Sequence, residues 1–187
     1  MDIYDEPGKD RAVEFPVFLS ATVGRDLRLV GTKYEYALVA GEDRAGAISL
    51  LGEFWLAHMA CREGDWFLTR HRKHGLEFVI EGEDRSQVGR YSGRRWRAGG
   101  TILMADGTRV DLRRRTPIAD WNLQTPGQRP FAAINISGLE RDTARVTIRS
   151  LPSGVADVHI ALLTACSVVS LGGMAPGAGP VGGFAVG

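Results

Sequence analysis

The sequence predicts a mainly β protein, a closed barrel of about twelve antiparallel strands around a central hydrophobic C-terminal helix. Three observations lead there. Short apolar-rich runs alternate with turn signals every ~8–12 residues through most of the chain. No regular helical stripe of ten residues or more occurs before residue 155. Residues 155–171 then run without Gly or Pro and are apolar on every side beyond His159, as a helix enclosed by protein must be.

Taken in order, residues 1–11 read as a flexible lead, acidic at Asp2, Asp5, Glu6 and Asp10. Expected strands follow at Val13–Leu19, Tyr34–Val39, Ala47–Leu51, Trp55–Cys61, Trp66–His71 and Leu76–Ile80. They continue at Ser86–Tyr91, Thr101–Met104, Arg109–Arg113, Asp120–Gln124, Phe131–Ile136 and Ala144–Ser150. Lys73-His74-Gly75, Ser92-Gly93, Pro126-Gly127 and Ser137-Gly138 supply turn chemistry at the joins. The clearest hairpin runs from Thr101 to Arg113, because Asp106-Gly107 is a pair that a tight turn with positive φ favours. After it, Arg109, Asp111 and Arg113 alternate with Val110 and Leu112, so the charges are expected outside and the aliphatics inside.

Leu151-Pro152-Ser153-Gly154 stops the last strand. Ser153 is the expected N-cap of the helix, and Asp157 favours its positive end. A helix over the 17 residues 155–171 would be about 25 Å long, close to the ~20–25 Å of a seven-residue strand. A barrel of about eight strands is filled by its own side chains, so enclosing a helix takes a wider one. The expected domain is therefore 12–171. Residues 172–187, rich in Gly, Pro and Ala and without charge, read as a tail outside it. The apolar run Ile160–Leu171 is much shorter than the roughly 20 residues needed to cross a bilayer, so no transmembrane span is expected.

The order Val146-Thr147-Ile148, Leu151-Pro152 and Asp157-Val158 resembles the strand, proline turn and Asp-led helix of the tubby C-terminal-like superfamily, which includes phospholipid scramblases and LURP-one-related proteins. The hairpin Thr101–Asp106-Gly107–Arg113 is similar to one of its repeats. The resemblance covers roughly residues 12–171 and implies a barrel of about twelve strands around a hydrophobic helix. Scramblases also carry acidic residues just before the helix, proposed as a calcium site. Here Arg149–Val158 offers only Asp157, too few carboxylates for a cation that takes six to eight oxygens, and the palmitoylated Cys-rich segment is missing. Scrambling activity is not carried over. Animal tubby proteins bind phosphoinositides through basic residues, and their individual ligands have no matched positions in this chain.

At 187 residues, with 44% hydrophobic and 24% charged residues, the composition is that of one globular domain. The net charge of +1 argues against a nucleic-acid coat, but it is unevenly spread: residues 1–61 carry −4, residues 62–115 carry +5 and residues 116–187 are balanced. Cys61 and Cys166 are too few for a disulfide framework and read as buried free thiols. The N-terminus has no apolar signal-peptide core, so the expectation is a cytoplasmic protein, with the Asn135-Ile136-Ser137 sequon unused. No nucleophile elbow, phosphate-binding glycine loop or C-x-x-C pair is present, so no catalytic residue, metal or cofactor is assigned.

The strongest functional feature is the stretch from Arg85 to Arg115. Arg85, Arg90, Arg94, Arg95, Arg97, Arg109, Arg113, Arg114 and Arg115 stand there against only Asp106 and Asp111, a local charge of +7. Arg grips phosphate with a planar, two-pronged donor. One reading is a phosphate or anionic-lipid site; the other is a solvated strand face. Arg95 and Arg97 flank Trp96, so a strand there would put both guanidinia on one face. His71 and His74, three apart, would point to opposite faces of a strand and make a poor metal pair. His58 reads as an ordinary barrel residue, His159 as a cap of the helix or a partner of Asp157, and Trp55, Trp66, Trp96 and Trp121 as core. The leading expectation is a non-enzymatic module docking, peripherally, on an anionic membrane through the arginine face. The alternatives are a protein-interaction scaffold, and a ligand binder or enzyme using a barrel mouth.

Overall fold

The computed structural model describes residues 7–32, 34–71, 76–94, 97–115, 120–135, 143–155 and 157–171. A short helix α1 (Pro7–Glu14) and a 3-10 turn (Leu19–Thr22) precede the barrel. Its strands are β1 (Asp26–Gly31), β2 (Glu35–Ala40), β3 (Asp43–Leu50), β4 (Ala57–Cys61), β5 (Gly64–Arg70) and β6 (Leu76–Gly82). The other half comprises β7 (Gln87–Arg94), β8 (Arg97–Met104), β9 (Arg109–Arg114), β10 (Asp120–Gln124), β11 (Ala132–Asn135) and β12 (Thr143–Ile148). Helix α2 (Val158–Leu171) follows.

Every strand pairs antiparallel with its neighbours in sequence, and β1 pairs with β12 to close the ring of twelve. Closure removes the edge strands that would otherwise expose unpaired backbone. Period-two alternation sends one side of each strand inward. In β1, Leu27 and Leu29 are fully buried while Arg28 and Val30 face out, and Val110 and Leu112 of β9 face in between outward Arg109 and Arg113. The wall is therefore apolar inside and charged outside, the reverse of the membrane-spanning barrels that hold water.

The interior is occupied by α2. Twelve of its 14 residues are buried, on all sides of the helix, and the nine apolar ones among them join residues of every strand in one continuous core. Fourteen residues make a rod of about 21 Å, comparable with the six to eight residues of the longer strands at ~3.3 Å each. The helix lies closest to β3 and β4. A side chain at Gly46 would stand 3.2 Å from the Ala60 carbonyl and 3.4 Å from Leu163 Cδ2, so this glycine lets helix and wall approach. Within the helix, Ser167 returns its hydroxyl to the Leu163 carbonyl, so that polar group is buried with a partner.

Three sequence expectations change. No strand forms at Val13–Leu19: α1 runs to Glu14, Pro16 follows, and Phe15 and Leu19 bury themselves as single anchors, 2% and 0% exposed. The twelfth strand is instead β1, whose alternation Leu27-Arg28-Leu29 pairs on both sides. Within the expected lead, α1 begins at Pro7, and residues 1–6 lie outside the described residues. The helix starts at Val158 rather than Val155; Ile160 and Ala161 donate to the Asp157 carbonyl, which makes Asp157, not Ser153, the capping position. Residues 172–187 lie outside the described residues. No described helix is long and apolar enough to cross a membrane.

Candidate functional site

The registers of β6 to β10 bring a set of outward side chains into rows. Arg90 on β7 stands opposite Val79 and Leu103, and Leu103 stands opposite Arg109 on β9. A neighbouring row runs Glu77, Ser92, Thr101, Asp111 and Gln124. Beyond it, Gly99 faces Arg113. Over the β7–β9 ladders lies a groove of about 580 Å³ with Arg109, Arg113 and Arg114 on its walls. A second groove of about 550 Å³, reaching Arg90 and His71, shares Ser92, Thr101 and Arg109 with it.

Glycine makes the floor. Gly99 has φ +139°, and a Cβ there would stand 2.6 Å from the Leu112 carbonyl. At Gly100 a Cβ would meet the Ser92 carbonyl at 2.5 Å and the Tyr91 hydroxyl at 2.6 Å. Neither position admits a side chain without a shift of backbone or ring; at Gly100 it would point into the barrel at buried Tyr91, so it is at Gly99, opposite outward Arg113, that the groove bottom is bare backbone.

Asp111 organises the walls. Its side chain is only 6% exposed although it belongs to the outer face. Thr101 Oγ1 and Arg109 Nε donate to its Oδ1 at 3.1 and 2.9 Å, and Arg113 Nη2 donates to Oδ2 at 3.3 Å. Burial works against the charge, but the hydrogen bonds from Arg109 and Thr101 outweigh it and hold the carboxyl below its ordinary value. Asp111 thus fixes two guanidinia that are themselves 54% and 63% exposed. Arg109 engages Asp111 through its Nε.

Among the arginines of this stretch whose side chains are described, the surroundings differ. Arg90, Arg109 and Arg113 share the outer face of β7–β9, while Arg114, at the rim of the first groove, lies 5.9 Å over the Trp121 ring. Arg115 is exposed just past β9, its backbone N–H bonded to the Asp120 carbonyl. The backbones of Arg94 and Arg97 pair at the end of the β7–β8 ladder. The expected alignment of Arg95 and Arg97 about Trp96 lies outside the described residues, since neither Arg95 nor Trp96 is among them. Arg85 stands apart at the β6–β7 turn, with φ +63°, its guanidinium 4.3 Å over Phe67 and 3.5 Å from Glu81. Sequence reasoning missed Asp111 as an anchor and the glycine floor. The Arg109-Asp111-Arg113 alternation carried the first signal, but nothing local marked Gly99 as the floor under Arg113.

The remaining candidates have structural roles. His58 Nε2 lies 3.2 Å from Asp65 Oδ1 and its ring stacks 4.8 Å from Phe67, while Arg11 of α1 pairs with Asp65 and Glu83. Ser49 stands opposite His58 across the ladder but gives its hydroxyl to Glu35 at 2.6 Å, so the pair is not a nucleophile and its base. Burial pushes the His159 ring below its ordinary value, and the ring lies 5.0 Å from Trp66 at the start of α2. Trp66 is core; Trp55 and Trp121 are half-buried. Cys61 and Cys166 are buried and free, and burial pushes the Cys166 thiol up to about 12. His71 is exposed and His74 lies outside the described residues. Among the described residues no three His, Cys, Asp or Glu side chains are grouped to hold a metal ion. Comparisons with protein-family models, curated proteins and solved structures find no match for this chain.

Proposed function

We propose that this barrel is a non-enzymatic binding module that takes anionic phospholipid headgroups on its β7–β9 face. The observation that carries the reading is the groove in which Arg109 and Arg113, set by a buried Asp111, stand over a floor of glycine backbone. Guanidinia bind phosphate oxygens through paired N–H donors, and preset side chains lose less freedom on binding than free ones. Arg90 extends the positive wall along the second groove. With α2 inside the barrel, function moves to the outer wall, which disfavours a ligand site in the interior. Kinship with the tubby C-terminal-like superfamily is part of the same proposal, supported by the closed barrel around a helix.

Flotation with vesicles of phosphatidylcholine alone, and with added phosphatidylserine, tests the reading. Binding is expected only with the acidic lipid, weakening as salt shortens the screening length below about 8 Å. It should fall in Arg90→Gln/Arg113→Gln. Equal binding to neutral vesicles, or none to acidic ones, overturns it, and a pull-down of protein partners insensitive to these substitutions would favour the scaffold alternative.

A further inference from the structure

Strand direction alternates round the barrel, so the joins fall alternately at its two ends. The β3–β4, β5–β6, β7–β8 and β9–β10 joins share one end, as does the β1–β2 join. Helix α2 starts from the opposite end, where β12 stops and Thr108, in the β8–β9 join, bonds the Gly154 carbonyl. Arg113, Arg114 and Arg115, all exposed, therefore belong to the first end, on its β9–β10 side.

The same end carries an apolar tip. The β3–β4 join is tightly built: Leu51 holds φ +59°, its N–H bonds the Leu56 carbonyl at 2.8 Å, and Gly52 lies under the Trp55 ring, where a Cβ would stand 2.4 Å from it. Trp55 lies back on the wall, 5.8 Å from His58 and 6.4 Å from Phe67. That leaves Phe54 at the tip, 77% exposed, beside Leu51 at 38%. Tyr34, 43% exposed, adjoins them through the Leu50 N–H bonded to its carbonyl. The loop folds its tryptophan in and holds a phenylalanine out, which leaves a small cluster of apolar side chains exposed at this end. Glu53 is the loop's only charge, so its attraction is apolar, while the positive charge stands across the rim.

We infer that Phe54, with Leu51 and Tyr34, is a wedge entering the interface of an anionic bilayer while the rim arginines meet its headgroups, so that the barrel stands end-on. A bilayer is favoured over a compact partner because it is flat and negative, and it reaches the apolar tip and the arginines together although the β5–β6 and β7–β8 joins separate them. The inference rests on the phospholipid reading and adds the orientation and the inserting residue.

The test combines partitioning with depth. Phe54→Ala should weaken binding to phosphatidylserine-containing vesicles about tenfold, with Phe54→Leu close to wild type and thermal stability unchanged because the ring is exposed. A bimane dye on Phe54→Cys should be quenched by lipids doxyl-labelled on the acyl chain. The same dye on Leu151→Cys, at the opposite end and 52% exposed in the parent protein, should not. Cys61 and Cys166, both 0% exposed, do not compete for labelling. If the wild type ignores acidic vesicles, the phospholipid reading fails and the wedge with it. If the wild type binds but Phe54→Ala binds equally and the Phe54→Cys dye stays unquenched, only the wedge is overturned. Self-association in lipid-free solution that Phe54→Ala abolishes would assign the tip to a second copy and likewise overturn it.

Discussion

Replacing Asp111 by Asn removes the charge that holds Arg109 and Arg113 while keeping the side-chain shape. The amide oxygen can still accept from Arg109 Nε and Thr101, which reach Oδ1 at 2.9 and 3.1 Å, but an NH₂ then replaces the oxygen that Arg113 Nη2 meets at 3.3 Å. Both guanidinia are more than half exposed, so each ion pair contributes at most about 1 kcal/mol. A neutral Asn also relieves the burial cost of the carboxylate, which offsets part of the loss. Because the carboxyl is held below its ordinary value, attraction exceeds that burial cost, and the net change is destabilising by about 1–2 kcal/mol. For a chain of this length that is about 2–8 °C in Tm. A group with a depressed native pKa contributes stability above its unfolded value of about 3.9 and loses it as pH falls through the native value. Urea unfolding of both proteins at pH 7 and at low pH measures this directly. The stability gap should be full at pH 7 and shrink in acid; an equal gap at both pH values, or none at pH 7, refutes the role given to the carboxylate.

Three further outcomes follow from the same geometry. Leu163→Ala removes a fully buried side chain between α2 and Gly46, so the urea midpoint should fall by the equivalent of about 2–5 kcal/mol with an unchanged m-value, whereas a surface helix would lose far less. Gly99→Ala forces a Cβ toward the Leu112 carbonyl at a backbone angle that L-residues rarely adopt, and it should cost more than about 1 kcal/mol, seen as a lowered Tm, as well as filling the groove floor. Cys61 and Cys166 should resist a thiol reagent in the native protein and react fully in denaturant, because both are buried and burial raises both thiols.

The barrel was legible because its signals are local and repeated. The Asp106-Gly107 turn forms as its chemistry requires, with Gly107 at φ +87° and its N–H bonded to the Met104 carbonyl at 3.0 Å. The apolar run before Gly172 reads as an enclosed helix because no surface helix is hydrophobic on every face. Val13–Leu19 misled for an equally physical reason. A short apolar run cannot be told from isolated anchors by pattern alone, and Phe15 and Leu19 are buried individually on either side of Pro16. Asp157 became the cap in place of Ser153 because the tertiary position of the helix, not cap preference, sets where the first turn closes.

The arginine stretch shows where local reading stops. Its charge excess was visible as composition, but alternation and hairpin reversal divide it: Arg85 turns toward β5, Arg109, Arg113 and Arg114 line one groove, and Arg90 joins Arg109 on the next. The sequence by itself determined the strand-rich chain, the tight hairpin and the enclosed helix, since these depend on periodicity and turn chemistry within a few residues. The tertiary structure alone decided which arginines meet, that a carboxylate sits buried beneath two of them, and that Phe54 shares an end with the positive rim. Those are consequences of register and ring closure between strands, and no short window of sequence contains them.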